Sequence, residues 1–81
     1  MPGLTRPKYL MPDFIRKAIL ERGLMEIYPS RPEYQQNDYI GWISLAKRMK
    51  TQSKRLNQML NELEAGDKYM NMVYIPKHYS E

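Results

Sequence analysis

YQQNDYIGWI (residues 34–43) decides the fold, because a run of amides passes directly into an apolar run. A helix turns by about 100° per residue, and this step gathers apolar side chains on one face: Tyr39, Ile40, Ile43 and Ala46. Trp42 lies at the edge of that face. Such a wide apolar arc is typical of a central helix, which we predict to run from about Pro32 to about Arg48.

The same helical phase divides the polar residues at the start of this helix. It predicts that Gln36 faces a neighbouring helix and hydrogen-bonds there, whereas Asn37 and Gly41 face solvent. The amides therefore indicate a structural element rather than a chemical site.

Two further helices are predicted, one before and one after the central helix. The first spans about residues 12–22, with Pro12 and Asp13 in its first turn and Gly23 as a left-handed stop. The other spans about residues 51–65 and is closed by Gly66. It carries a narrow apolar stripe at helical spacing: Leu56, Met59, Leu60 and Leu63. A short loop joins it to the central helix, so the two should form an antiparallel helical hairpin.

We therefore predict an all-α fold, a small domain of three to four helices built on this hairpin. The predicted organisation is an extended arm (1–11), a helical domain (12–66), an extended segment (67–75) and a tail (76–81). The extended segment includes YMNMVYI (69–75), which is rich in strand formers. A single strand cannot satisfy its own backbone, so it should pair with the arm, lie across the helices or meet another chain.

The composition excludes several classes of protein. A chain of 81 residues buries only about 60 to 65% of its unfolded surface, which disfavours a roomy catalytic cleft. It has no cysteine, and its one histidine, His78, cannot form a metal site alone, so we predict neither a metal nor a cofactor. No stretch approaches the roughly 20 apolar residues that cross a bilayer, so we expect a cytoplasmic protein that does not associate with membranes.

The charge distribution is uneven, although the net charge is only +4. There is no acidic residue between Tyr39 and Asn61, where five basic residues lie within nine positions: Lys47, Arg48, Lys50, Lys54 and Arg55. Bases at the start of a helix oppose its dipole, so the cluster could hold a phosphate or a nucleic-acid backbone. The alternative, which is the commoner one, is a solvated surface whose charges pair with acids such as Glu26 or Glu33.

Three further side chains are candidate partner contacts: Tyr34, Asn37 and Trp42. Aromatic residues near bases can stack on nucleic-acid bases, but packing in the core is their commoner use. Ser44 and Ser53 have no histidine nearby and there is no glycine-rich phosphate loop, so the sequence predicts no catalytic residue and no enzyme activity.

Several segments together resemble the bacteriocin-protection family, also called YdeI or OmpD-associated. They are YQQNDYIGWI (34–43), AKR (46–48), KRLNQMLNEL (54–63) and GDKYMNM (66–72), preceded by MPDFIRKAILERGLMEIY (11–28). The resemblance covers roughly residues 11–74. It implies a small helical fold and a link to resistance against bacteriocins or antimicrobial peptides, and it transfers no catalytic residue. In larger relatives such a segment stands beside a β-rich domain that is absent here.

Two functions are compatible with these observations. The first is a non-enzymatic interaction module that binds a protein partner through the basic region at 47–55 and the flank formed by Tyr34 and Asn37. The alternative is a nucleic-acid- or phosphate-binding module that uses the same basic region. We expect a monomer or a weak homodimer, the latter formed through residues 69–75.

Overall fold

The computed structural model describes residues 8–74, which form three α-helices followed by a short β-hairpin. In chain order the elements are α1 (Asp13–Glu21), a 3-10 turn (Tyr28–Ser30), α2 (Glu33–Ser44), α3 (Met49–Ala65), β1 (Lys68–Tyr69) and β2 (Met72–Val73). The predicted all-α fold is confirmed, with a two-stranded sheet added at its end. No helix among residues 8–74 is long and apolar enough to cross a membrane.

The first helix ends as its sequence predicts. Gly23 takes a φ of +70°, which costs a glycine little because it has no Cβ. The Leu24 N–H then donates to the Ile19 carbonyl at 2.9 Å, and Leu24 is only 3% exposed. This is the Schellman arrangement, in which the residue after the glycine folds back onto the helix.

The predicted boundaries between α2 and α3 are wrong by several residues. α2 ends at Ser44 instead of Arg48, and α3 begins at Met49 instead of residue 51. Arg48 has φ −105° and ψ 140°, an extended conformation that cannot continue a helix. It is the cap residue of α3.

Side chains of α3 explain why α2 ends early. The Arg55 Nη1 atom donates to the Trp42 carbonyl at 2.6 Å, and the Gln52 Nε2 atom lies 3.4 Å from the Ser44 carbonyl oxygen. The last carbonyls of a helix have no partner within the helix, so these donors stabilise an end that the local sequence does not encode.

The core lies where α1, α2 and α3 meet. Its buried hydrophobic residues are Ile15, Ile19, Leu24, Tyr28, Tyr39, Ile40, Ile43, Met59, Leu60 and Leu63. The predicted stripe of α3 is confirmed, with Leu56 half-buried at its margin. Ala46, predicted on the apolar face of α2, lies in the loop after that helix because α2 ends at Ser44.

The extended segment after α3 pairs with itself, which the prediction of one continuous strand at 69–75 did not foresee. Antiparallel pairs join Lys68 to Val73 and Tyr69 to Met72, while residues 75–81 lie outside the described chain. The two turn residues, Met70 and Asn71, have φ values of 51° and 66°. Two consecutive positive φ values are typical of a type I′ turn.

The N-terminal arm covers a face of α2 that was predicted to be exposed. The Tyr9 ring packs so closely on Gly41 that a Cβ there would lie 2.5 Å from Tyr9 Cε2, and the Tyr9 N–H donates to Asn37 Oδ1 at 2.9 Å. Gly41 is therefore buried and Asn37 half-buried. The solvent-facing prediction for both was wrong, because α2 packs on the arm as well as on α3.

Candidate functional site

The most exposed part of the basic cluster lies in residues 45–50, which are the loop between α2 and α3 (45–48) and the first two residues of α3, Met49 and Lys50. We call this segment the α2–α3 loop. Its Leu45 and Met49 side chains are 65% and 82% exposed. The three bases of this α2–α3 loop are also exposed: Lys47, Arg48 and Lys50. The loop thus presents apolar and basic side chains together at one end of the helical hairpin.

The acids of residues 8–74 form no ion pair with the bases of this loop. Within residues 8–74 the ion pairs are Arg16 with Asp13 and Arg22 with Glu64, each at 3.1 Å. The pairing of the basic cluster with Glu26 or Glu33 that the sequence suggested does not occur among these residues.

Arg55 belongs to the fold rather than to the exposed loop. Besides donating to the Trp42 carbonyl, its guanidinium carbon lies 5.2 Å from the centre of the Trp42 ring. This cation–π contact fixes the half-buried indole. The predicted contact residue Trp42 and the predicted anion ligand Arg55 therefore bind each other.

Lys54 lies one helical turn after Lys50 on α3. It lines a polar depression with Lys68 of the β-hairpin. The structure therefore divides the predicted basic cluster into three parts: the exposed loop bases, the Arg55 contact with Trp42, and Lys54 beside the hairpin.

Tyr34 and Asn37 border a groove of about 530 Å³ between the arm and α2. Tyr34 is 49% exposed, and its ring makes an edge-to-face contact with Tyr69 at 6.0 Å. Tyr34 stands in the first turn of α2, and the α2–α3 loop follows its last residue. A helix of 12 residues is about 18 Å long, so the two predicted halves of the working surface lie at opposite ends of α2.

The most highly organised polar group is one that the sequence did not reveal, the buried carboxylate of Glu62. It is 5% exposed and accepts four hydrogen bonds: from Tyr39 Oη at 2.5 Å, Gln58 Nε2 at 3.1 Å, and the backbone N–H groups of Met70 at 2.9 Å and Asn71 at 2.7 Å. Burial alone would raise the pKa of Glu62, but these bonds outweigh it and hold the pKa below the ordinary value. The carboxylate thus joins α2, α3 and the hairpin turn.

Arg31 and Gln35 extend the same buried network. Arg31 donates from Nη1 to Gln35 Oε1 and from Nη2 to the Glu62 carbonyl, both at 3.0 Å. Gln35 is fully buried, whereas Gln36, the predicted inward amide, is half-buried and donates to the Arg31 carbonyl at 2.7 Å. Gln36 does find a partner, but in the preceding loop instead of a neighbouring helix. A signal was available, since Gln35 precedes Tyr39 by four residues on the same helical face.

Among residues 8–74 no group of three or more histidine, cysteine, aspartate or glutamate side chains could hold a metal ion. The one histidine of the chain, His78, lies outside the described residues.

The comparisons with known proteins agree with this picture of the helices. A family model described as bacteriocin-protection, YdeI or OmpD-associated matches residues 9–66. No curated protein and no solved structure matches the chain. The matched span begins at Tyr9, which packs on α2, and ends at Gly66, which closes α3 with a φ of +84°. It therefore contains all three helices and stops before the hairpin.

Proposed function

Because the chain belongs to the bacteriocin-protection family, YdeI or OmpD-associated, we propose that it is a non-enzymatic module that binds a partner protein through its α2–α3 loop. One observation carries this proposal: two large apolar side chains, Leu45 and Met49, stand 65% and 82% exposed on either side of Lys47 and Arg48. Exposed apolar side chains with a charged rim are a feature of protein interaction sites.

The chemistry of the loop defines the partner. Three bases without acidic neighbours favour an acidic surface, because complementary charge steers encounter and fixes orientation. Leu45 and Met49 require an apolar recess within that surface, and methionine adapts well to irregular recesses. Gln52 and Arg55 hold the chain on both sides of the loop, which lowers the entropy lost on binding.

A nucleic-acid or phosphate ligand has less support. Of the five basic residues of the cluster, Arg55 is held against Trp42 and Lys54 borders a separate depression. The three loop bases could contact phosphates, but Leu45 and Met49 would contribute nothing to such contacts. Their exposure is what favours a protein partner over a polyanion.

The test compares what the immobilised protein retains from bacterial extract in moderate salt. One variant combines Leu45→Ser with Met49→Ser. Its matched control is Leu20→Ser, which changes a side chain that is 55% exposed on α1. We expect one specific protein, identified by mass spectrometry and then purified, to bind the wild type and the control but not the loop variant. Equal binding of that protein to all three would contradict the proposal.

A second measurement addresses the alternative. Binding to duplex DNA is measured as the salt concentration rises. Nucleic acid would be favoured over protein if binding fell steeply with salt and were lost when three bases are changed to Gln: Lys47, Arg48 and Lys50. Anionic lipid vesicles in the same assay would detect membrane binding. Sedimentation tests the predicted monomer or weak homodimer, and fractionation tests the predicted cytoplasmic location.

A further inference from the structure

A polar depression of about 470 Å³ lies between α3 and the β-hairpin. Lys54, Asn57, Gln58 and Asn61 line it from α3, and Lys68 and Asn71 line it from the hairpin. The four α3 residues follow each other at i, i+3, i+4 and i+7, so they form one continuous face of the helix. All of the lining side chains are polar or charged, so a ligand there would be held by hydrogen bonds and charge.

The floor and the far wall of this depression are fixed in place. Glu62 forms the floor, and its two carboxylate oxygens already accept four hydrogen bonds. Two of these come from the backbone of Met70 and Asn71, so the hairpin turn is held against α3. A ligand would meet a preformed surface, which reduces the entropy cost of binding.

The side chains around the rim have unused hydrogen-bonding capacity. Among residues 8–74 neither Lys54 nor Lys68 forms an ion pair, and the side-chain amides of Asn57 and Asn71 make no hydrogen bond. Within the described residues, Asn61 bonds through its Oδ1 atom, which accepts from Arg22 Nη2 at 3.0 Å, and its NH₂ group makes no hydrogen bond. The two lysines outnumber the one carboxylate of the lining, Glu62, so the depression keeps an excess of positive charge, which favours anions.

We propose that this depression binds an anionic sugar, a hydroxylated ring that carries a phosphate or a carboxylate. Lys54 and Lys68 would contact the anionic group with charge-assisted hydrogen bonds. The carboxamides of Asn57, Asn61 and Asn71 both donate and accept, which suits hydroxyl groups and exceeds what a bare anion needs. The lining contains no residue of the α2–α3 loop, so this proposal does not depend on whether the loop binds a protein.

The test is an NMR titration of the full-length labelled chain with glucose 6-phosphate and glucuronic acid at millimolar concentrations. Glucose alone and inorganic phosphate alone are the comparison ligands. We expect an anionic sugar to shift the amide signals of residues 54–61 and 68–71, and to bind several-fold more tightly than either comparison ligand. The proposal would be overturned if neither anionic sugar shifted these amide signals, or if inorganic phosphate alone bound as tightly as the anionic sugars.

Matched variants separate binding from stability. Lys54→Gln combined with Lys68→Gln should weaken binding about tenfold, whereas Lys17→Gln, which changes an exposed base of α1, should leave it unchanged. The rival role of the two lysines is to balance the charge of Glu62. If the double variant lowered the melting temperature and left the affinity for the sugar unaltered, that rival would replace the binding site.

Discussion

Replacement of Glu62 by Gln tests how the hairpin is attached to the helices. The change keeps the shape of the side chain but puts an NH₂ group where one of the two carboxylate oxygens stood. Oε1 accepts from Tyr39 and Met70, and Oε2 accepts from Gln58 and Asn71. Whichever way the new amide turns, one backbone N–H of the turn loses its acceptor.

The expected cost follows from this geometry. The hydroxyl of Tyr39 and the amide of Gln58 can reorient to suit the new group, but a backbone N–H cannot. Leaving it unpaired costs about 1 kcal/mol at this partly buried site, and exchanging charged for neutral acceptors costs about 1 kcal/mol more. A loss of about 2 kcal/mol is large for a chain of 81 residues, whose total stability is of the order of 4 to 12 kcal/mol.

Urea unfolding followed by circular dichroism measures this loss. Glu64→Gln is the matched control, because it removes the same charge from the same helix at a side chain that is 50% exposed. Its ion pair with Arg22 should be worth at most about 1 kcal/mol. Amide hydrogen exchange at Met70 and Asn71 should accelerate only in the Glu62 variant. Equal stability of the two variants would refute the role assigned to the buried carboxylate.

The free energy of unfolding, measured as the pH is lowered, tests the role of Glu62 independently. Because the pKa of Glu62 is lowered in the folded protein, the unfolded chain takes up a proton first as the pH falls. The stabilisation is therefore fully present above the ordinary glutamate pKa of about 4.3 and is lost as the pH falls through the lower folded value. Glu62→Gln should reduce this dependence on pH, and an unchanged dependence would contradict the assignment.

Three further predictions concern other parts of the fold. Gly41→Ala should displace Tyr9, whose ring would lie 2.5 Å from the new Cβ, and speed exchange of the Tyr9 amide. In a Tyr9→Ala background the same change should stabilise α2 by about 0.5 to 1 kcal/mol, as thermal unfolding would show. Arg55→Lys should weaken the contact at 5.2 Å with Trp42, alter its fluorescence and cost about 1 kcal/mol. Burial raises the pKa of Tyr28 to about 12, so stability should be lost as the pH rises from about 10. Burial also raises the pKa of Tyr39, so ultraviolet absorbance would show delayed ionisation of both tyrosines.

The parts of the fold that follow from local sequence were predictable. The spacing of Met59, Leu60 and Leu63 identifies the buried stripe of α3, and the glycines at 23 and 66 mark two helix ends because left-handed backbone suits glycine. These signals lie within a few residues of the structure that they specify.

The features that the sequence missed depend on residues far apart in the chain. Gly41 is buried because Tyr9, 32 positions earlier, packs on it. The candidate site shows the same limit. Charge spacing groups Lys54 and Arg55 with the α2–α3 loop, but Arg55 is bound to Trp42 and Lys54 lines the depression beside the β-hairpin. Helical phase alone cannot show which faces of α2 are covered by which neighbours.

Met70 shows how tertiary contacts override local preference at the end of the chain. A methionine rarely takes a φ of 51°, although the two-residue hairpin turn calls for a positive φ at this position. The carboxylate of Glu62 stabilises it by accepting the N–H groups of both turn residues. The turn also stabilises the carboxylate, because a buried carboxylate without those donors would cost free energy. Residues 67–73 therefore belong to the same folded unit as the segment matched by the family model, and binding experiments need the hairpin as well as residues 9–66.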